Sequence, residues 1–183
     1  MSTNPINVVR VRNILPNEFS TVGNLMVDVY SNLDGFPKPD EQPAYYNMLR
    51  NVGEFCSKPK TELLVALNDN ARIVGAVVYF GDMQYYGSGG TATQESDASG
   101  FRLLAVARDS QGQGIGKLLT QACIEKARQK QHRFVVIHST KAMQTAWQMY
   151  EKLGFIRSED LDFMQGALPV FGFRLDLNTR GIF

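Results

Sequence analysis

The sequence predicts a mixed α/β fold in which helices pack on the faces of one β-sheet. Short apolar or β-branched runs alternate with longer segments whose apolar residues recur every three or four positions. Clusters of Gly, Pro, Asn and Ser separate these segments. The predicted order, βααβββαβαββ, gives a mixed sheet with helices on its faces.

Length and composition favour a single domain, residues 1–183. A formal net charge of +1 gives no basic field of the kind that binds nucleic acid or an anionic membrane. Two cysteines are too few and too dispersed for a disulfide framework or a metal site. The N-terminal residues lack an apolar signal core, and no apolar run is long enough to span a bilayer. We therefore expect a cytoplasmic protein without a bound metal.

The elements follow from these patterns. Strands are predicted at 8–14, 61–67, 72–80, 101–106, 134–137, 163 and 170–177. Helices are predicted at 17–30, 43–55, 114–130 and 142–153. The Gly-, Ser- and Thr-rich residues 85–100 predict a loop.

The most informative segment is FRLLAVARDSQGQGIGKLL, residues 101–119. An apolar strand runs into a turn with three glycines, and a helix begins there. Glycine allows a ligand to approach the main chain closely. The first N–H groups of a helix lack internal partners and carry partial positive charge. This arrangement predicts a phosphate-binding turn, although a glycine-rich turn that only connects strand to helix is an alternative.

Two common phosphate motifs do not fit these residues. A P-loop requires glycine five positions before Gly116, but Gln111 stands there, and Lys117 is followed by Leu118. A dinucleotide fingerprint requires G-x-G-x-x-G, whereas the spacing here is G-x-G-x-G. The usual nucleotide-binding classes are therefore not indicated.

The turn from Gln111 to Gly116 instead resembles the Q/R-x-x-G-x-G/A motif of the GNAT superfamily of N-acetyltransferases. In that family, main-chain amides of the turn hold the pyrophosphate of acetyl-CoA. The resemblance implies acetyl-CoA as the acetyl donor. The cofactor-binding residues it implies are Leu104, Ala105, Val106, Gln111, Gly112, Gln113, Gly114, Ile115, Gly116 and Lys117.

A second segment supports the same family. Residues 146–155 read A-x-x-x-Y-E-K-L-G-F and are similar to another GNAT signature about 35 residues after the first. The order of the surrounding elements also agrees with that family. The resemblance implies a central mixed, mostly antiparallel sheet of about seven strands flanked by four helices.

Tyr150 is the predicted catalytic residue. It belongs to an apolar helical stripe with Met143, Ala146, Trp147 and Leu153, where a tyrosine hydroxyl needs a partner. The resemblance implies that this hydroxyl protonates the departing CoA thiolate, whereas a core tyrosine is the structural alternative.

Met143 stands where many relatives carry an Asn that contacts the cofactor. Ser139 and Thr140, at the end of the preceding strand, are possible polar substitutes. The resemblance also implies that a main-chain N–H at Val106 or a neighbour stabilises the carbonyl oxygen during transfer.

The proton acceptor is less clear from the sequence. An alkylamine is almost wholly protonated at pH 7 and must lose a proton before it attacks. Some relatives place a Glu where this chain has Gly100. Glu95, Asp97 and His138 are candidates, against the alternatives of solvated loop carboxylates, a core histidine and a water chain.

The acceptor is expected near the loop between the first two helices. Asp34 and Phe36, followed by Tyr45 and Tyr46, are candidate substrate-binding residues, because acidic and aromatic groups suit a cationic amine. Asp40 and Glu41 lie in the same segment. An ordinary polar loop is the alternative.

The sequence thus predicts an N-acetyltransferase that transfers an acetyl group from acetyl-CoA to a primary amine, by direct attack in a ternary complex. A small-molecule acceptor is favoured, because no extended acidic groove or accessory domain is evident. No covalent intermediate is implied, since Cys123 lies on the apolar stripe of a predicted helix and Cys56 has no adjacent base in the sequence. A non-catalytic acyl-CoA-binding module, a protein acetyltransferase and a cofactor-free interaction protein are alternatives, and a homodimer is one possible assembly.

Overall fold

The computed structural model describes residues 8–179, which form an eight-stranded sheet with helices on both faces. The strands are β1 (Arg10–Asn13), β2 (Thr61–Leu67), β3 (Ile73–Phe80), β4 (Ala98–Val106), β5 (Phe134–Ser139), β6 (Ile156–Arg157), β7 (Phe163–Gln165) and β8 (Leu168–Asp176). Their order is β1-β2-β3-β4-β5-β8-β6, and β7 pairs with β8. Only the β4–β5 pair is parallel among these strands. The predicted mostly antiparallel sheet is confirmed.

Four α-helices of the described residues cover this sheet: α1 (Phe19–Ser31), α2 (Pro43–Arg50), α3 (Ile115–Gln129) and α4 (Gln144–Lys152). Alternate residues of β2 face opposite sides, so that Leu63 and Val65 join one core and Leu64 and Ala66 the other. The first core includes α1 and α2, and the second includes α3 and α4. Within residues 8–179, no helix is long and apolar enough to cross a membrane.

Several predicted boundaries differ from the structure. The second helix ends at Arg50 rather than near residue 55, and a 3₁₀ segment, Val52–Ser57, follows it. The predicted loop 85–100 contains the start of β4, which begins at Ala98. The two-residue strand β6 was not predicted, because two residues are too few to show an alternating pattern.

Strands β4 and β5 separate after a short region of pairing. The parallel pair ends where Gly100 lies opposite Val136, whereas β4 continues to Val106 and β5 to Ser139. A register shift against β3 between Ala76 and Val78 marks a bulge in this part of β4, and Leu103 there has a left-handed φ of 59°. A gap therefore opens between the two strands in the middle of the sheet.

The contact between α1 and α2 generates a stability prediction. A Cβ at Gly23 would collide with the main-chain oxygen of Arg50. Gly→Ala in an unobstructed helix stabilises by about 1 kcal/mol. Here we expect the opposite, because the methyl group overpacks the contact: Gly23→Ala should lower the free energy of unfolding by about 1–3 kcal/mol in urea denaturation.

The exposed neighbour Asn24 provides the control on the same helix. Asn24→Ala should leave the free energy of unfolding unchanged or raise it slightly, because alanine is the better helix former. A Gly23→Ala protein as stable as the wild type would contradict the close contact.

Candidate active site

A cavity of about 510 Å³ occupies the gap between β4 and β5. Tyr30 of α1, His138 of β5 and Tyr150 of α4 line it, together with most of the glycine-rich turn. The separated strands thus bring residues from both faces of the sheet and from the turn to one space.

The glycine-rich turn adopts the conformation that its sequence predicts. Gly112 and Gly114 have φ values of 78° and 79°, and Gly114 is the N-cap of α3. A Cβ at either position would meet no atom within 4 Å, so the left-handed backbone, not crowding, favours glycine there. The first N–H groups of α3 have no helical acceptors and are available to an anion beside the cavity.

Most of the predicted cofactor-binding residues line this cavity: Leu104, Val106, Gln111, Gly112, Gly114, Ile115, Gly116 and Lys117. The side chains of Ala105 and Gln113 do not. Ala105 is buried in the core beneath α1 and α2, and Gln113 lines a separate surface pocket. Any contact of these two residues with a ligand in the main cavity would have to come from the main chain.

Tyr150 lies on the cavity, 5% exposed. Its ring packs edge-on against Phe101 and Phe155, with centroids 5.9 and 5.6 Å away. Burial raises the pKa of its hydroxyl, because the phenolate is poorly solvated there. The group therefore stays protonated at neutral pH, with its hydroxyl hydrogen beside the cavity.

Two further hydroxyls at the end of β5 lack partners. The side-chain oxygens of Ser139 and Thr140 are buried without a hydrogen bond among the described residues, and both residues line the cavity. Met143 lines it beside them. Buried hydroxyls are usually paired, so a polar ligand or water is expected at this position.

The two predicted carboxylate bases lie away from the cavity lining. Glu95 forms an ion pair with Arg174 at 2.6 Å, and Asp97 accepts a hydrogen bond from the main-chain N–H of Arg133 at 3.0 Å. A Cβ at Gly100 would lie 2.8 Å from the ring of Tyr86 and would collide with it. The structure thus leaves no space for a carboxylate at position 100.

His138 is the third base candidate, and it lines the cavity. Its Nε2 lies 2.8 Å from the carbonyl oxygen of Leu161, so this nitrogen carries the hydrogen. Its Nδ1 then accepts a hydrogen bond from the Tyr86 hydroxyl at 2.9 Å, with Ser88 Oγ at 3.4 Å. Burial lowers the pKa of the ring below its usual 6.5. The imidazole is therefore neutral at pH 7 and has a basic nitrogen.

The predicted acceptor residues separate into two groups. Phe36 and Tyr45 line the cavity. Tyr46 donates its hydroxyl to the carbonyl oxygen of Pro37 at 2.7 Å, and Asp34 is exposed; neither lines the cavity. Asp40 and Glu41 are exposed and also lie outside the lining. The acidic residues of this loop therefore do not provide a carboxylate in the cavity.

Among the lining residues that the sequence analysis missed, Arg102 carries a charge. Arg102 of β4 lies on the cavity, and its Nη1 donates to the main-chain oxygen of Tyr86 at 2.8 Å. Its signal in the sequence is a single charge within the apolar run FRLLAV. That signal could have indicated a functional residue, because a charge at a largely buried strand position is costly without a purpose.

The separated strands, the glycine-rich turn at the start of α3 and the buried tyrosine meet at one cavity in the middle of the sheet. Residues 25–155 match the acetyltransferase (GNAT) family. The chain belongs to this family, as the two sequence motifs predicted. Membership also confirms the predicted class of enzyme, the acyl-CoA-dependent N-acyltransferases.

Individual relatives agree with this assignment. The chain is 31% identical over 93 residues to N-alpha-acetyltransferase 30 of Schizosaccharomyces pombe; the match covers 51% of this chain and 57% of that relative. An acetyltransferase of the GNAT family from Staphylococcus aureus superposes with a TM-score of 0.70 at 14% identity, covering 93% of this chain and 99% of that one. The structure of yncA from Salmonella typhimurium with its cofactor acetyl-CoA has a TM-score of 0.60 at 16% identity, covering 96% and 97%.

The turn geometry generates a binding prediction. Alanine at position 114 would have to adopt the φ of 79°, which costs a non-glycine residue about 1–2 kcal/mol. We expect the turn to relax and misalign its N–H groups, so that Gly114→Ala weakens acetyl-CoA binding about tenfold, measured by calorimetry.

Gly116→Ala is the matched control. A Cβ there would lie 3.7 Å from its nearest neighbour, in ordinary contact, and the φ of this residue is not left-handed. Its affinity for acetyl-CoA should stay close to that of the wild type. Equal losses in the two variants would show that bulk in the turn, not backbone conformation, controls binding.

Proposed function

We propose that this protein transfers the acetyl group of acetyl-CoA to the primary amine of a small molecule, by direct attack in a ternary complex. The observation that carries the proposal is the position of the glycine-rich turn and the Tyr150 side chain on one cavity. A turn that binds the phosphate groups of a ligand at one end of the cavity fixes the position of that ligand. The reactive part of the ligand then reaches a buried proton donor, Tyr150.

The residues present fit acetyl-CoA. The amides from Gly112 to Lys117 would hold the pyrophosphate, and Lys117 adds a positive charge at the same end of the cavity. The unpartnered hydroxyls of Ser139 and Thr140 would serve the polar groups of the pantetheine arm. When bound, acetyl-CoA supplies an activated acetyl group as a thioester.

Direct transfer needs a proton donor for the departing thiolate and hydrogen-bond donors for the carbonyl oxygen of the acetyl group. The Tyr150 hydroxyl, kept protonated by burial, gives its proton to the departing sulfur. A main-chain N–H at or near Val106, on the part of β4 that does not pair with β5, stabilises the oxygen that gains charge. No covalent enzyme intermediate is involved.

His138 is the proposed proton acceptor, because it is the one predicted base that lines the cavity. Its neutral Nδ1 takes a proton from the attacking amine, directly or through the Ser88 hydroxyl at 3.4 Å. Tyr86 can rotate its hydroxyl and accept from the new N–H, since its oxygen is 2.9 Å away. Both ring hydrogens of the resulting imidazolium then have acceptors.

A small acceptor is favoured by a bridge between two parts of the chain near the cavity. Gln165 of β7 donates to the side-chain oxygen of Gln42, which precedes α2, at 2.6 Å. Gln165 also lines the cavity. Because this hydrogen bond joins the two segments directly, it leaves little room for an extended peptide to lie in an open groove between them.

A protein α-amine is the second candidate acceptor. It is favoured by the likeness to N-alpha-acetyltransferase 30, although the chain spans only 57% of that relative's length. An assay that follows thiol release from acetyl-CoA distinguishes the two candidates. It compares small-molecule amines with peptides that have a free N-terminal amine as acceptors.

Tyr150→Phe tests the enzymatic role. The variant removes the proton donor but keeps the ring that packs against Phe101 and Phe155. We expect kcat to fall about 100-fold, in the range of general acid catalysis, while the Kd for acetyl-CoA stays nearly unchanged.

Tyr85→Phe is a suitable control, because Tyr85 packs against the first core and does not line the cavity. If Tyr150→Phe kept the wild-type kcat, Tyr150 would have only a structural role in the core. Acetyl-CoA binding by a wild type that acetylates no amine would support the non-catalytic module instead.

His138→Gln tests the proton acceptor. We expect kcat/KM at pH 7 to fall about 100-fold, since the variant cannot take the proton of a protonated amine. The loss should shrink toward pH 9.5, because an amine with a pKa of about 10 becomes appreciably neutral there without help.

Asp97→Asn should show the wild-type pH profile, because Asp97 lies outside the cavity lining. If the loss in His138→Gln is the same at every pH, the histidine has a structural role only.

A further inference from the structure

The proposed acceptor side of the cavity contains a positive charge with no carboxylate beside it among residues 8–179. Arg102 lies there, with its guanidinium carbon 5.7 Å from the ring centre of Tyr86 and 5.9 Å from that of Phe55. Every ion pair within residues 8–179 involves other residues. No Asp or Glu of the described chain lines the cavity.

The charge of Arg102 affects the pKa values of several residues that line the cavity. Burial raises the pKa of Tyr30, Tyr45 and Tyr86, and the positive charge of Arg102 partly offsets the rise in each of them. It also adds to the effect of burial in lowering the pKa of His138. A cation that faces the cavity without a carboxylate partner among residues 8–179 is available to pair with a ligand of opposite charge.

The side chains around Arg102 also indicate the chemistry of the rest of the ligand. Tyr45 keeps its hydroxyl proton because burial raises its pKa, so it is a neutral donor. Its ring packs near Tyr30 and Phe36, with centroids 6.1 and 5.6 Å away. Phe163 lines the cavity as well. This side of the cavity therefore combines one cation and a hydroxyl donor with an aromatic wall.

We infer that Arg102 binds an anionic group of the acceptor, and that the substrate is an amine which also carries a carboxylate, as apolar and aromatic amino acids do. The guanidinium suits a carboxylate because its planar N–H groups match the two oxygens. The same charge repels a purely cationic amine, the kind of acceptor that the acidic loop residues suggested. The inference rests on the proposed transfer to a small amine and adds the class of that amine.

Matched pairs of acceptors test this directly. Phenylalanine and 2-phenylethylamine differ only in the carboxylate, and so do leucine and isoamylamine. We expect the wild type to show a kcat/KM at least about tenfold higher for the amino acid of one or both pairs, because the decarboxylated amine leaves Arg102 unpaired.

Arg102→Gln should bring that ratio close to one. Glutamine removes the positive charge and keeps a side-chain N–H donor at this position. Lys117→Gln removes the other lining cation and is the control: it should weaken acetyl-CoA binding but keep the preference for the carboxylate. Equal use of both members of each pair by the wild type, or an unchanged ratio in Arg102→Gln, would overturn the inference.

Calorimetry separates this inference from the proposed reaction. Wild-type protein loaded with CoA should bind 3-phenylpropionate or 4-methylpentanoate more tightly than the corresponding amide, and Arg102→Gln should lose the difference. If no amine is acetylated but this carboxylate binding is found, the transfer proposal fails and the anion site stands. If neither carboxylate binds, the proposed anion site is wrong, whether or not the protein acetylates amines.

Discussion

The separation of β4 from β5 is the constraint on which the rest of the site depends. The two strands pair only as far as Gly100 and Val136, so the main chain of β4 beyond that point faces a gap instead of a neighbouring strand. Main-chain groups left unpaired at a strand edge need partners. A ligand that lies along β4 can supply them, and the turn that follows β4 places N–H groups at the end of the same path.

Burial shifts the pKa values of Tyr150 and His138 in opposite directions. Low solvation disfavours the charged form of any group, so it raises the pKa of Tyr150 and lowers that of His138. The tyrosine therefore keeps its proton, and the histidine stays neutral at pH 7. None of the Asp and Glu side chains within residues 8–179 lines the cavity, and Gly100 leaves no space for another.

The sequence predicted those elements lining the cavity that are local in the chain. The turn from Gln111 to Gly116 is a continuous strand–turn–helix unit, and Tyr150 lies in a continuous helical stripe, so pattern and spacing were sufficient. The acceptor side could not be predicted in this way, because it is assembled from distant segments. Asp34 faces solvent whereas Arg102 faces the cavity, and this difference depends on how α1 and β4 pack, which no local pattern records.

Tyr86 connects the proposed base and the proposed anion site. Its ring fills the space that a side chain at Gly100 would need, its hydroxyl bonds to His138 Nδ1, and its main-chain oxygen accepts from Arg102. Because one buried residue positions both groups, the nitrogen that takes the proton and the cation that holds the carboxylate keep a fixed separation. An amino acid carries its amine and carboxylate at a fixed separation as well. The link through Tyr86 therefore favours acceptors in which the amine and the carboxylate also keep a fixed separation, over those in which a long flexible chain divides them.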